Sequence, residues 1–189
     1  MSDLLFDDTT WRLRWIVANT RYWFPSGEVL LPVSALGRPD PRWRLLPVDL
    51  TVRQIEGSPP AGEHPPLSQP ALPWRHDPHL RSVEAVVGHR VHLLDRVVGH
   101  VEELLVDDDG WLIRFIVVDV CKWRPGERIL LSPRRVSQID WTRRMVRFDL
   151  GCRELETRHA HRDAVWIRRA SDDATHTDIR QDSGAPGPA

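Results

Sequence analysis

Apolar and polar positions alternate with a period of two along most of this chain, in short runs closed by proline, glycine or aspartate. That pattern predicts short β-strands joined by turns rather than helices. Leu4 to Asp8 and Trp11 to Thr20 read as a strand pair, the longer one β-branched and aromatic at its centre, Trp15-Ile16-Val17. The same pair is sharper further on, where Leu104-Leu105-Val106 and Trp111-Leu112-Ile113 flank Asp109-Gly110, the dipeptide favoured by a two-residue turn with positive φ. From Trp111 to Val120 one face carries Trp111, Ile113, Phe115 and Val117, and the other Leu112, Arg114, Ile116, Val118 and Val120. Both faces are apolar past the midpoint, so this strand is expected to be covered on both sides, by its own core and by a sister segment or partner.

Further strands are expected at Glu28 to Leu31 and Arg128 to Ser132, each ended by Pro32 or Pro133, after the loops Trp23-Phe24-Pro25-Ser26-Gly27 and Trp123-Arg124-Pro125-Gly126. Arg42 to Asp49 and Val136 to Asp149 read as one or two short strands each, and Thr51 to Glu56 and Gly151 to Glu156 as helical turns. Ser82 to Val87 is a short helical or turn segment, followed by a strand pair, Arg90 to Leu94 and Val97 to Leu105, joined by Asp95-Arg96. Many short strands with almost no long helix predict a mainly β fold, a small barrel or sandwich.

These elements occur twice. Sliding the sequence by 100 residues without a gap places Leu4, Leu5, Asp7, Asp8, Trp11, Arg14, Ile16, Val17, Trp23, Pro25, Leu30, Leu31, Asp40, Arg44, Asp49 and Leu50 on identical residues between Leu104 and Leu150. Two long copies indicate a duplicated small domain rather than a solenoid, whose units are shorter and more numerous. The expected organisation is a first copy over 1–56, a proline-rich linker over 57–78, a second copy over 79–157 and an extension over 158–189 that is disordered from about 171. The first copy has no counterpart of the strand pair before Leu105. Its exposed strand edges would need a partner chain or further sequence to cover them.

The formal net charge is −1, from 26 basic and 27 acidic residues, so no overall field draws in nucleic acid or an anionic membrane. The two cysteines, Cys121 and Cys152, fall on Arg21 and Val52 of the first copy and read as reduced thiols of a cytoplasmic protein. No apolar run is long enough to span a bilayer.

The pattern His79-Leu80-Arg81-Ser82, Val87-Gly88, Gly99 to Asp108 and Trp111 to Asp119, continued by Arg128 to Pro133 and Val146 to Leu150, resembles the PRC-barrel. That is the β-barrel shared by the cytoplasmic part of the photosynthetic reaction centre H subunit and the C-terminal domain of the ribosome maturation factor RimM. The fold expected from the resemblance is two PRC-type β-barrels in tandem, the first lacking its N-terminal strand pair. The function it implies is a non-enzymatic adaptor or scaffold that binds other proteins, as a pseudo-symmetric pair or a homodimer. An alternative is an H-subunit-like accessory that supports electron transfer and proton delivery, peripheral on the cytoplasmic face of a membrane complex. A weaker one is a RimM-like ribosome assembly factor.

No phosphate loop, nucleophile elbow or Ser/His/Asp arrangement is legible, and neither a catalytic residue nor a cofactor is expected. Asp107-Asp108-Asp109-Gly110 lacks the alternating ligands and distal glutamate of a calcium loop and reads as a solvated hairpin turn. The histidines and cysteines lack zinc-site spacing, so no metal is expected. The arginine pairs Arg134-Arg135, Arg143-Arg144 and Arg168-Arg169 are interspersed with acids and predict a solvated face rather than an RNA groove. Trp43, Trp74 and Trp166 have no counterpart in the other copy and are candidate partner anchors. His89, His92, His100, Glu102 and Glu103 are the proton-relay candidates that the H-subunit resemblance suggests.

Overall fold

The computed structural model describes residues 2–22, 27–61, 77–120, 127–156 and 164–168. The fold is mainly β, in two sheets. The first half supplies β1 (Asp3–Asp7), β2 (Arg12–Asn19), β3 (Glu28–Pro32) and α1 (Val52–Glu56). The second supplies β4 (Leu80–Ser82), α2 (Val83–Val86), β5 (Arg90–His92), β6 (Val97–Val106), β7 (Ile113–Asp119), β8 (Glu127–Leu131), β9 (Val136–Asp140), β10 (Met145–Phe148), α3 (Cys152–Glu156) and β11 (Ala164–Arg168). The smaller sheet has the order β3-β2-β1-β4 and the larger one β11-β8-β7-β6-β5-β10-β9. Neither order closes on itself among the described residues.

The β1–β2 and β6–β7 hairpins depart from the two-residue turn expected at Asp109-Gly110. Positive φ falls on Trp11 (58°) and Trp111 (51°), and Gly110 is not left-handed. In both copies the four-residue turn, 8–11 and 108–111, is held by the aspartate that precedes it. Asp7 Oδ1 accepts the Thr9 and Thr10 amides at 3.0 and 2.9 Å, and Asp107 Oδ1 accepts those of Asp109 and Gly110 at 3.1 and 2.6 Å. Asp40 repeats the device on Arg42 and Trp43, and Asp140 on Arg143. Arg44 and Arg144, four residues after these two aspartates, are left-handed as well. An aspartate that bonds amides two and three residues ahead closes such a turn without help from glycine.

Strand register shows a second shared device. Leu5 pairs with Trp15 and Phe6 with Leu13, so Arg14 is an extra residue, and Arg114 is extra in the same way between Phe115 and Ile113. The bulge resets the alternation. Ile113 therefore joins Ile116 and Val118 in the core, although a regular strand would turn it the other way. Each bulged arginine reaches back to its turn aspartate, Arg14 to Asp7 at 3.4 Å and Arg114 to Asp107.

Phe6, Trp11 and Leu13 belong to the same buried cluster as Ile113, Ile129, Phe148 and Leu155, so one core crosses the repeat boundary. Phe6 stacks on Trp11 with ring centroids 5.4 Å apart. The seam itself is reciprocal: the Leu13 amide donates to the Trp111 carbonyl and the Ile113 amide to the Trp11 carbonyl, both at 2.8 Å. Positions 100 residues apart thus exchange identical bonds across a local two-fold. On β7, Ile116, Val117 and Val118 are all buried, which matches the two-sided cover expected of this strand.

The edge left bare in the first copy is covered from within the chain. β4 pairs antiparallel with β1, Leu5 opposite Ser82 and Asp7 opposite Leu80, although β4 precedes the strands of the second copy. Residues of the expected linker also take part, because Pro60 bridges Val29 and the Leu30 amide donates to the Pro59 carbonyl. Both prolines sit on a sheet edge, where their missing N–H costs nothing. Residues 62–76 of the linker and the segment from 171 lie outside the described residues. Arg42 to Asp49 forms only isolated bridges instead of strands, Asp40 with Leu45 and Leu36 with Val48. Pro41 and Pro47 remove the donors that a ladder would need. Gly99 allows β6 to pass under β7, since a Cβ there would lie 1.8 Å from the Asp119 carbonyl oxygen.

The exposed left-handed arginines carry strain that no packing returns. Arg44→Gly is expected to raise stability by about 0.5–1 kcal/mol. Trp11→Gly relieves the same backbone strain but empties a core position, and is expected to cost about 3 kcal/mol or more. Urea denaturation of the two variants measures both, and equal effects would remove the strain argument.

Candidate binding cleft

A cleft of about 1060 Å³ opens where the β1–β2 turn of the first copy meets the second sheet. One wall is Asp8 to Arg12 with Pro78, His79 and Arg81, and the other is Leu112 to Phe115 with Ser132 to Arg134, Val136 to Ile139 and Trp141. It is therefore built by both copies, and the seam hydrogen bonds fix its floor.

Asp8 organises the near wall. Its carboxylate receives Arg81 Nε at 3.0 Å and faces His79 Nδ1 at 3.0 Å. That anchor sets the Arg81 guanidinium over the Trp141 ring, 4.8 Å from its centroid. The edge of the same tryptophan meets the His89 ring at 5.4 Å. Trp141 thus lies between a cation from the lead-in of the second copy and a buried imidazole, an arrangement in which the ring quadrupole favours the charge. Arg12, Arg114 and Arg134 add three cations to the lining. Arg12 donates to the Gly110 carbonyl at 3.2 Å and Arg114 is held by Asp107. Arg134 is exposed and has no carboxylate partner among the described residues. Among the described lining residues Asp8 is the one carboxylate, so the cleft is locally cationic on a chain of near-zero charge.

The proposed relay residues are dispersed. His89 is buried in the core side of the fold, 2% exposed, and neither ring nitrogen has a hydrogen-bond partner among the described residues. Burial pushes its pKa below 6.5, and the nearby Arg144 guanidinium pushes it the same way. His92 lies on β5, its pKa also lowered by burial and then by Arg147 and Arg90. His100 is half exposed, with Nε2 3.8 Å from Asp119. Glu102 occupies a bulge in β6 and pairs with Arg128, while Glu103 is exposed. By strand alternation His89 and Val91 face the core, and Arg90 and His92 the opposite side.

Of the candidate anchors, Trp43 is 65% exposed at the tip of the Asp40–Leu45 turn, with Arg42 stacked 5.3 Å from its ring centroid. It stands apart from the cleft lining. Trp74 lies outside the described residues, and Trp166 stands in β11 opposite Ile129. The residue missed from sequence is Trp141, and its signal was available, because the first copy has Pro41 in its place. Asp107 to Gly110 forms a hairpin turn, and no cluster of potential metal ligands occurs among the described residues. No described helix is long and apolar enough to cross a membrane. A scan against protein-family models finds no match to the chain, and a search of curated proteins finds none either.

Two acid-sensitive windows follow from these environments. His89 is held neutral when folded and has an ordinary pKa when unfolded. The unfolded chain therefore binds more protons below about 6.5, and stability present above that pH declines as it falls. Asp7 behaves as a depressed carboxylate: burial raises its pKa, but hydrogen bonds from Thr9 and Thr10 outweigh this and hold it at about 2. Its contribution is intact above the ordinary carboxylate range and is lost as the pH falls toward 2. His89→Leu is expected to flatten the urea midpoint between pH 7.5 and 5, with a midpoint at pH 7.5 equal to or above wild type, because an unpartnered buried imidazole is removed. Asp7→Asn is expected to flatten only the lower window. An unchanged slope in either variant would refute the assignment for that residue.

Proposed function

We propose that the chain is a non-enzymatic interaction module, a tandem PRC-barrel-like adaptor whose cleft takes an acidic, extended stretch of a partner protein. The observation that carries this reading is the pre-set cationic wall. Asp8 orients Arg81 on Trp141, and Arg134 is left without a carboxylate on the facing wall. A cation already held in place loses little freedom when a carboxylate arrives, and an aromatic surface beside it supplies apolar contact. Opposed charge in a concave site also speeds encounter and rejects partners of the wrong sign.

Isothermal titration of the full chain with a Glu/Asp-rich decapeptide tests the reading. Binding is expected to weaken steeply with added salt, and Arg134→Glu is expected to lower affinity about tenfold, roughly 1.4 kcal/mol, without moving the urea midpoint. Arg81→Ala is expected to weaken it as well. Equal affinity in Arg134→Glu, or equal binding of a Lys-rich decapeptide, would overturn the cleft as the site.

A further inference from the structure

β4 covers one of two equivalent edges. It lies on Leu5, Phe6 and Asp7 of β1, and the Asp8 amide donates to the His79 carbonyl at 3.0 Å. One hundred residues on, these positions are Leu105, Val106 and Asp107, at the end of β6 and in its turn. On that side of β6, β5 pairs only up to His100, and the last backbone bonds are those of Val101 with Gly88 and His89. The chain then leaves through α2 toward β1. Beyond Val101, no described strand lies against Glu103 to Val106 on the side opposite β7.

We infer that the β6 edge from Glu103 to Val106 is a strand-addition site for a partner segment patterned like β4: an aliphatic residue, a basic residue, then a small polar one. The inference rests on reading the chain as an interaction module, and gives that module a second surface distinct from the cationic cleft. The first copy supplies the template for the bound state. There Asp8 fastens the added strand through Arg81 and His79. Its counterpart Asp108 is half exposed and shares Arg38 with Asp109, at 3.4 and 2.7 Å, a cation itself 72% exposed. Such an open pair contributes little and exchanges readily for a better-placed cation. Backbone bonds would give affinity, and the basic residue over Asp108 register and selectivity.

Charge also decides against a second copy of the same edge as occupant. Pairing two β6 edges would bring Glu103 and the Asp107–Asp109 cluster of one molecule against those of the other, and like charges across a ladder destabilise it. The bulge at Glu102 interrupts the ladder next to the site, a feature that discourages indiscriminate edge pairing.

The test is a ¹⁵N-HSQC titration of the full chain with a peptide of residues 78–83, Pro-His-Leu-Arg-Ser-Val. Amide shifts are expected to cluster at residues 103–108. Asp108→Lys, a change in an exposed turn, is expected to weaken binding about tenfold, and a peptide with glutamate in place of its arginine to restore it on that variant. Shifts confined to residues 4–8 would show the peptide merely displacing β4 and would overturn the inference, as would no shifts at all. The acidic decapeptide run on the same samples separates the two readings. If it binds and the 78–83 peptide leaves 103–108 unmoved, the edge site alone fails, whereas failure of both peptides removes the interaction module with it.

Discussion

An aspartate bonded to the amides two and three residues ahead of it is the constraint on which this fold depends. It appears at Asp7, Asp40, Asp107 and Asp140, and in each case the residue four positions on is left-handed: Trp11, Arg44, Trp111 and Arg144. A left-handed conformation at a side chain as large as tryptophan is unfavourable by about 1–2 kcal/mol. At Trp11 the compensation is visible, since the conformation turns the indole onto Phe6 in the buried cluster. The same geometry presents the Trp11 and Trp111 carbonyls to the Ile113 and Leu13 amides. Turn chemistry, core packing and the joint between the copies are thus one local arrangement used twice. The paired arginines at the bulges, Arg14 and Arg114, hold the same aspartates from the strand side.

Duplication explains the joint but does not make the halves equal. The first copy contributes a short sheet completed by β4 and by residues around Pro60, both from outside its repeat. The second copy and β11 of the extension after it build the seven-stranded sheet. One buried cluster spans the two, while Ile16, Val17, Val29, Leu30 and Leu31 of the first copy are buried outside it. Small domains bury too little surface to be robust alone, so a shared core is the economical outcome of duplicating one.

Inequality also gives the two copies different surfaces. Where β4 lies on Asp8, its arginine is delivered to Trp141 and the cleft becomes cationic. At the related position Asp108 is half exposed, beside a strand end that no described strand pairs. One copy therefore presents positive charge and the other negative charge at places that the repeat makes equivalent. On the proposed reading, a nearly neutral chain gains two recognition surfaces of opposite sign in this way.

By itself, the sequence determined the mainly β character, most strand positions, the α1 and α3 turns, the 100-residue repeat and the two-sided burial of β7. Each of these rests on local pattern: alternation, prolines and glycines at fixed offsets, and identities between the copies. Gly110 drew the turn reading to the wrong residue, because glycine is the usual host of positive φ, whereas Asp107 and the packing of Trp111 select the loop here. The bulges at Arg14 and Arg114, which reverse the facing of Ile113, leave no mark in composition. Only the tertiary structure decided that β4 crosses to the first copy, that Trp141 meets both the Arg81 guanidinium and the His89 ring, and that His89 is separated from His92 and His100. Those outcomes depend on which strand edges lie within reach once both copies have collapsed on one core. Reach of that kind is a property of chain path, and no residue pattern encodes it locally.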